Sequence, residues 1–75
     1  MITVFEFLFL LKTMQIIRLI FVSKNGQTIT IKGEAFKVMN ACIDIHIEMN
    51  LIDRIEADNK EIIIYVSSEK LEKKQ

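Results

Sequence analysis

The chain has 75 residues, 51% of them hydrophobic, and its 10 Lys+Arg balance its 10 Asp+Glu when His46 is neutral. That length allows one domain, and the charge balance argues against a protein built to hold a polyanion, which needs clustered Lys and Arg. Cys42 is the only cysteine, so no disulfide forms within the chain; a lone thiol fits a reducing, cytoplasmic setting.

Residues 1–22 are almost continuous hydrophobe. The run lacks a basic leader and a small-residue cleavage pattern, and Glu6 sits inside it, so it does not read as a signal peptide. Lys12, Thr13, Gln15 and Arg18 interrupt any window of about 20 apolar residues, so no membrane association is expected. Over 2–11, Phe5, Phe7, Phe9 and Leu11 alternate with Val4, Glu6, Leu8 and Leu10, which predicts a strand. Residues 1–13 are then an edge strand, or an extension upstream of a start at Met14.

Asn25-Gly26 predicts a hairpin with a two-residue type I′ turn, because both turn positions favour φ > 0. That loop length pairs Lys24 with Gln27, Val22 with Ile29 and Ile20 with Ile31. Ile20, Val22, Ile29 and Ile31 then share one face, and Leu19 and Phe21 are left on the other.

From 34 to 49 a helix is expected. Lys37, Asn40, Asp44 and Glu48 fall on one polar stripe, and a wide apolar arc occupies the rest. The rival is a short helix over 34–41 followed by a strand, since Ile43, Ile45, Ile47, Met49 and Leu51 also alternate with polar residues. A second hairpin follows, with strands over 52–57 and 61–66 around the turn residues Asp58-Asn59-Lys60. Residues 68–75 form a charged, frayed tail.

These elements add up to a single α+β domain over 1–75. Its order is β-β-β-α-β-β, with four or five largely antiparallel strands and one amphipathic helix on one face. The second sheet face has no helix of its own, and self-association is expected through that face or through edge-strand pairing.

Few residues suggest chemistry. Met39, Cys42, His46 and Met49 lie near one helical stripe and are ligand types that suit Cu(I), but their spacing is too wide for one ion, and Met and Cys are common core fillers. A Cys42–His46 nucleophile pair would need an orienting group and an oxyanion site that the sequence does not offer. Asp44, Glu48, Asp53 and Glu56 fit a solvated helix face and a polar turn as well as an acid–base pair. No enzyme, cofactor or metal site is expected. Nucleic-acid binding through the Asn25-Gly26 hairpin, with Lys24, Lys32, Lys37 and Arg18 on phosphates, is the alternative; acidic residues are as numerous, and aromatics are not interleaved with basic residues.

The strongest signal is surplus hydrophobicity. A chain this short buries only about 60–65% of its unfolded surface, so part of its apolar surface is expected to meet another molecule. The expected function is a small protein–protein interaction module, homodimeric through Phe5, Phe7, Phe9, Leu19 and Phe21. Lys37, Asn40, Asp44 and Glu48 remain for a different protein. Size and the Ile/Lys/Glu-rich composition suit a phage or mobile-element accessory protein that modulates a host factor.

Overall fold

The computed structural model describes residues 2–12 and 14–70. It is an α+β fold: α1 (Val4–Phe9), β1 (Ile16–Val22), β2 (Thr28–Glu34), α2 (Ala35–Asp44), β3 (Asn50–Ala57) and β4 (Ile62–Lys70). The four strands form one sheet in the order β2-β1-β4-β3. The outer pairs are antiparallel hairpins, but β1 and β4 meet in parallel at the centre, so the sheet is mixed.

The N-terminal segment is a helix and not the expected edge strand. Its sequence carries a helix start, Thr3-x-x-Glu6. The Glu6 N–H donates to Thr3 Oγ1 at 3.1 Å, and the Thr3 N–H donates to Glu6 Oε1 at 3.0 Å, closing a capping box. Val4 and Leu8, one helical turn apart, are buried in the core. The Phe alternation that suggested a strand also places Phe5 and Phe9 together at i, i+4, where their rings stack at 5.9 Å. The Ile52 N–H donates to the Ile2 carbonyl oxygen at 3.0 Å, and Thr3 bridges to Leu51, so the segment is fastened to β3. Met1 and Thr13, which belong to the predicted 1–13 segment, lie outside the described residues.

The first hairpin forms where expected, but its register is shifted. The Gly26 N–H donates to the Ser23 carbonyl oxygen at 3.0 Å, and the Ser23 N–H donates to the Gln27 carbonyl oxygen at 2.8 Å. With Gly26 at φ +88°, this is a three-residue loop ending in a left-handed residue, not a two-residue I′ turn. Val22 now opposes Thr28, Ile20 opposes Thr30 and Leu19 opposes Ile31. One residue of slip moves every side chain to the other face. Leu19 is therefore fully buried and Phe21 packs on the core, while Ile20 and Val22 take the open side.

Helix α2 covers 35–44 rather than 34–49. The Ile45 N–H still bonds to the Ala41 carbonyl oxygen, but His46 turns left-handed at φ 62° and ends the helix. The second hairpin forms as expected and is longer. Asp58 Oδ1 accepts the backbone N–H groups of Lys60 at 2.8 Å and Glu61 at 2.9 Å, and these bonds hold its carboxyl below the usual range. Strand β4 runs on to Lys70, into the predicted tail; residues 71–75 lie outside the described residues.

Both helices cover the same sheet face. Ile17, Leu19, Ile52, Ile64 and Val66 from the sheet meet Val4, Leu8, Ala35, Val38 and Cys42 from the helices. Among the described residues no helix covers the opposite face.

Candidate functional site

Helix α2 buries Ala35, Val38 and Cys42, at i, i+3 and i+7. At 100° per residue its outward face is then centred on Asn40, with Phe36 and Ile43 on one flank and Lys37 and Asp44 on the other. All five are exposed. Helix α1 lies along the apolar flank. The Phe5 N–H donates to the Glu48 carbonyl oxygen at 2.8 Å, which sets the start of α1 beside the loop that follows α2. At the other end Leu8, Phe9 and Leu11 meet Ala35, Phe36 and Met39. The two helices are therefore antiparallel. Between them runs an open apolar groove of about 260 Å³, with Asn40 on its lip.

The residues around this groove are unusually bare for apolar side chains. Phe9 is 73% exposed and Leu10 77%, and Phe5, Phe36 and Ile43 are exposed as well. Large apolar residues clustered on one surface mark a contact site more often than isolated ones do.

The residues predicted for self-association are divided by the fold. Phe5 and Phe9 lie on the outer surface of the helix layer. Phe7 is half-buried against the core and is not available as a contact residue. Leu19 and Phe21 are on the covered face of the sheet, because the hairpin register is one residue away from the expected one. Of the predicted partner-binding residues, Lys37, Asn40 and Asp44 are exposed on α2. Glu48 lies beyond the helix and is half-buried. Phe9 and Asn40, assigned to separate surfaces from the sequence, line one groove.

Leu10, Phe36 and Ile43 were missed. For Phe36 and Ile43 a signal was present: the apolar arc of α2 is wider than the side a two-layer fold can cover, so its margin must stay exposed.

The open sheet face, where self-association is expected from the sequence, is polar by comparison with the helix layer. One cross-strand row reads Glu56, Ile63, Arg18, Lys32, and the next reads Arg54, Tyr65, Ile20, Thr30. Its charges are engaged locally. The Arg18 Nε donates to Glu61 at 2.9 Å, and Lys32 Nζ reaches the other oxygen at 3.2 Å. Arg54 Nε meets Glu56 at 3.2 Å and its guanidinium lies 4.1 Å from the Tyr65 ring centroid. Most of the cations considered for phosphate contact are thus paired with carboxylates: Arg18 and Lys32 share Glu61, and Lys37 stands 3.8 Å from Glu34.

The sulfur and imidazole groups are not brought together. Cys42 is fully buried among apolar side chains, and burial together with the charge of Glu48 pushes its thiol up to about 12. His46 is exposed past the end of α2. Among the described residues no group of three or more His, Cys, Asp and Glu is placed to hold a metal ion. Asp44, Glu48, Asp53 and Glu56 are spread over α2, the following loop and the edge strand β3. Among the described residues no helix is long and apolar enough to cross a membrane.

No family model matches the chain, and neither a curated protein nor a solved structure matches it significantly.

Proposed function

We propose that the chain is a non-enzymatic protein–protein interaction module that acts as a homodimer through its helix layer. One observation carries this reading: the α1–α2 groove lies among exposed apolar side chains of the same layer, Phe5, Phe9, Leu10, Phe36 and Ile43. A surface that carries both a hollow and the apolar groups that fit hollows is self-complementary, as an isologous two-fold contact requires. Interfaces of this kind are anchored by a few aromatic and aliphatic residues at the centre with polar groups at the rim. Here the anchors are Phe5, Phe9, Leu10 and Phe36, and Lys37 and Asp44 are the rim.

The test is solution mass by light scattering as a function of concentration. The expected result is twice the 8.8 kDa chain mass, falling to the monomer in Phe9→Glu or Leu10→Glu with the circular dichroism spectrum unchanged. A wild-type chain that stays at the monomer mass up to millimolar concentration would overturn the reading.

A further inference from the structure

Helix α2 carries its charges the wrong way round. Lys37 is in the first turn and Asp44 in the last, with no acidic residue in the first turn and no basic residue in the last. A helix favours negative charge at its N-terminus and positive charge at its C-terminus. The N-cap residue Glu34 offsets part of this at the start, although its side chain caps no backbone N–H. At the other end Asp44 itself has no basic residue in its turn, and the basic groups His46, Lys24 and Lys70 stand around the loop that follows. Asp44 makes no ion pair among the described residues, and Lys37 meets only Glu34, at 3.8 Å.

A second α2 lying antiparallel against the first would supply what each lacks. We infer that the homodimer forms by antiparallel packing of α2 on α2, about a two-fold axis at Asn40, with Lys37 of each copy against Asp44 of the other. This rests on the reading of the helix layer as the self-association surface.

The geometry is self-consistent on both flanks. A two-fold axis lying in the interface and perpendicular to the helices reverses each helix end for end and keeps its flanks on the same side. The charged flank therefore meets the charged flank, and reversal puts Lys37 opposite Asp44 twice. The apolar flank meets the apolar flank, and reversal puts Phe36 opposite Ile43. The groove lies on that apolar flank beside the first half of α2, so the partner's Ile43 faces it. Each Asp44 is brought towards the N-terminus of the facing helix and each Lys37 towards its C-terminus, which corrects both mismatches with the macrodipole. A parallel arrangement, with the axis along the helices, would instead cross the flanks and set Lys37 and Asp44 of each copy against the Phe36 and Ile43 flank of the other.

The experiment is a charge-swap cycle read by analytical ultracentrifugation, combined with cross-linking at the axis. Lys37→Glu and Asp44→Lys should each weaken dimerisation roughly tenfold, since each converts two attractive rim pairs into repulsive ones. The double variant should return to within about threefold of wild type. Asn40→Cys should give a disulfide-linked dimer on mild oxidation, because a residue on the axis meets its own copy, whereas Thr28→Cys on the edge strand of the sheet should not. The native Cys42 is fully buried and does not compete. A dimer whose affinity ignores both single swaps, or one in which the double swap fails to restore binding, overturns the antiparallel arrangement while leaving the module reading intact. A monomeric wild type overturns both.

Discussion

Leu19 of β1 stands directly across from Ile31 of β2, with Leu19 fully buried and Ile31 packed at the edge of the same core. That pairing depends on a single left-handed residue, Gly26, at the end of the loop. A Cβ added there would meet nothing within 4 Å, so the cost of Gly26→Ala is that of the backbone conformation alone. A loss of about 1–2 kcal/mol is expected, measured by urea denaturation. An unchanged midpoint would show that the loop does not hold this conformation.

The N-terminal helix is part of the core. Val4 is fully buried and Leu8 nearly so, and Thr3 caps α1 while pairing with Leu51. Leu8→Ala is expected to cost about 2–5 kcal/mol, a large share of the roughly 4–11 kcal/mol total that a domain of this size holds. A chain starting at Met14 would lose Val4 and Leu8 together. It should show no cooperative thermal transition by circular dichroism. A truncated chain that melted like the full one would show α1 to be dispensable.

Glu61 has a side chain only 10% exposed and holds both Arg18 and Lys32. Glu61→Gln keeps the shape and removes the charge that both cations face. Because Arg18 and Lys32 are themselves about half exposed and recover hydration, the expected loss is only about 1 kcal/mol. It should shrink further in 1 M salt. Lys32→Met should cost less than Glu61→Gln, since Arg18 still satisfies the carboxylate. Equal losses from the two substitutions would mean that Arg18 contributes little.

The buried thiol of Cys42 sets a limit at high pH. Unfolded, it releases its proton near 9.0; folded, it holds the proton up to about 12, first because of burial and then because of Glu48. The folded state thus gains its full advantage from this group below pH 9 and loses it as pH rises from 9 to 12. Wild-type stability should fall more steeply across that interval than that of Cys42→Ala. At pH 8, native Cys42 should react with a disulfide reagent far more slowly than in urea. Rapid labelling of the native chain would show that the thiol is not enclosed.

Half of the candidate surface was legible before the structure. The excess of hydrophobe over what so short a chain can bury pointed to apolar side chains left outside the core, and Phe5 and Phe9 are among them. Leu19 and Phe21 were not separable from them by composition, because a strand with apolar residues on both sides gives no sign of which side is covered. The decision lay in one residue of loop length. Phe7 shows the same limit on a helix: three similar Phe residues differ in exposure only by their angle around α1.

The sequence by itself determined the α+β class, the positions of the two hairpins, the start of α2 and the presence of more apolar surface than one small core hides. These rest on local chemistry: turn residues, periodicity and the ratio of surface to volume. Only the tertiary structure decided that 4–9 is helical, since the Thr3-x-x-Glu6 cap and the Phe alternation point to different local structures until Val4 and Leu8 find a core to enter. It also decided that β1 lies parallel to β4, a pairing between segments far apart in the chain that no local pattern encodes. And it decided which apolar residues stay outside, because a side chain is buried by what packs against it and not by its own hydrophobicity.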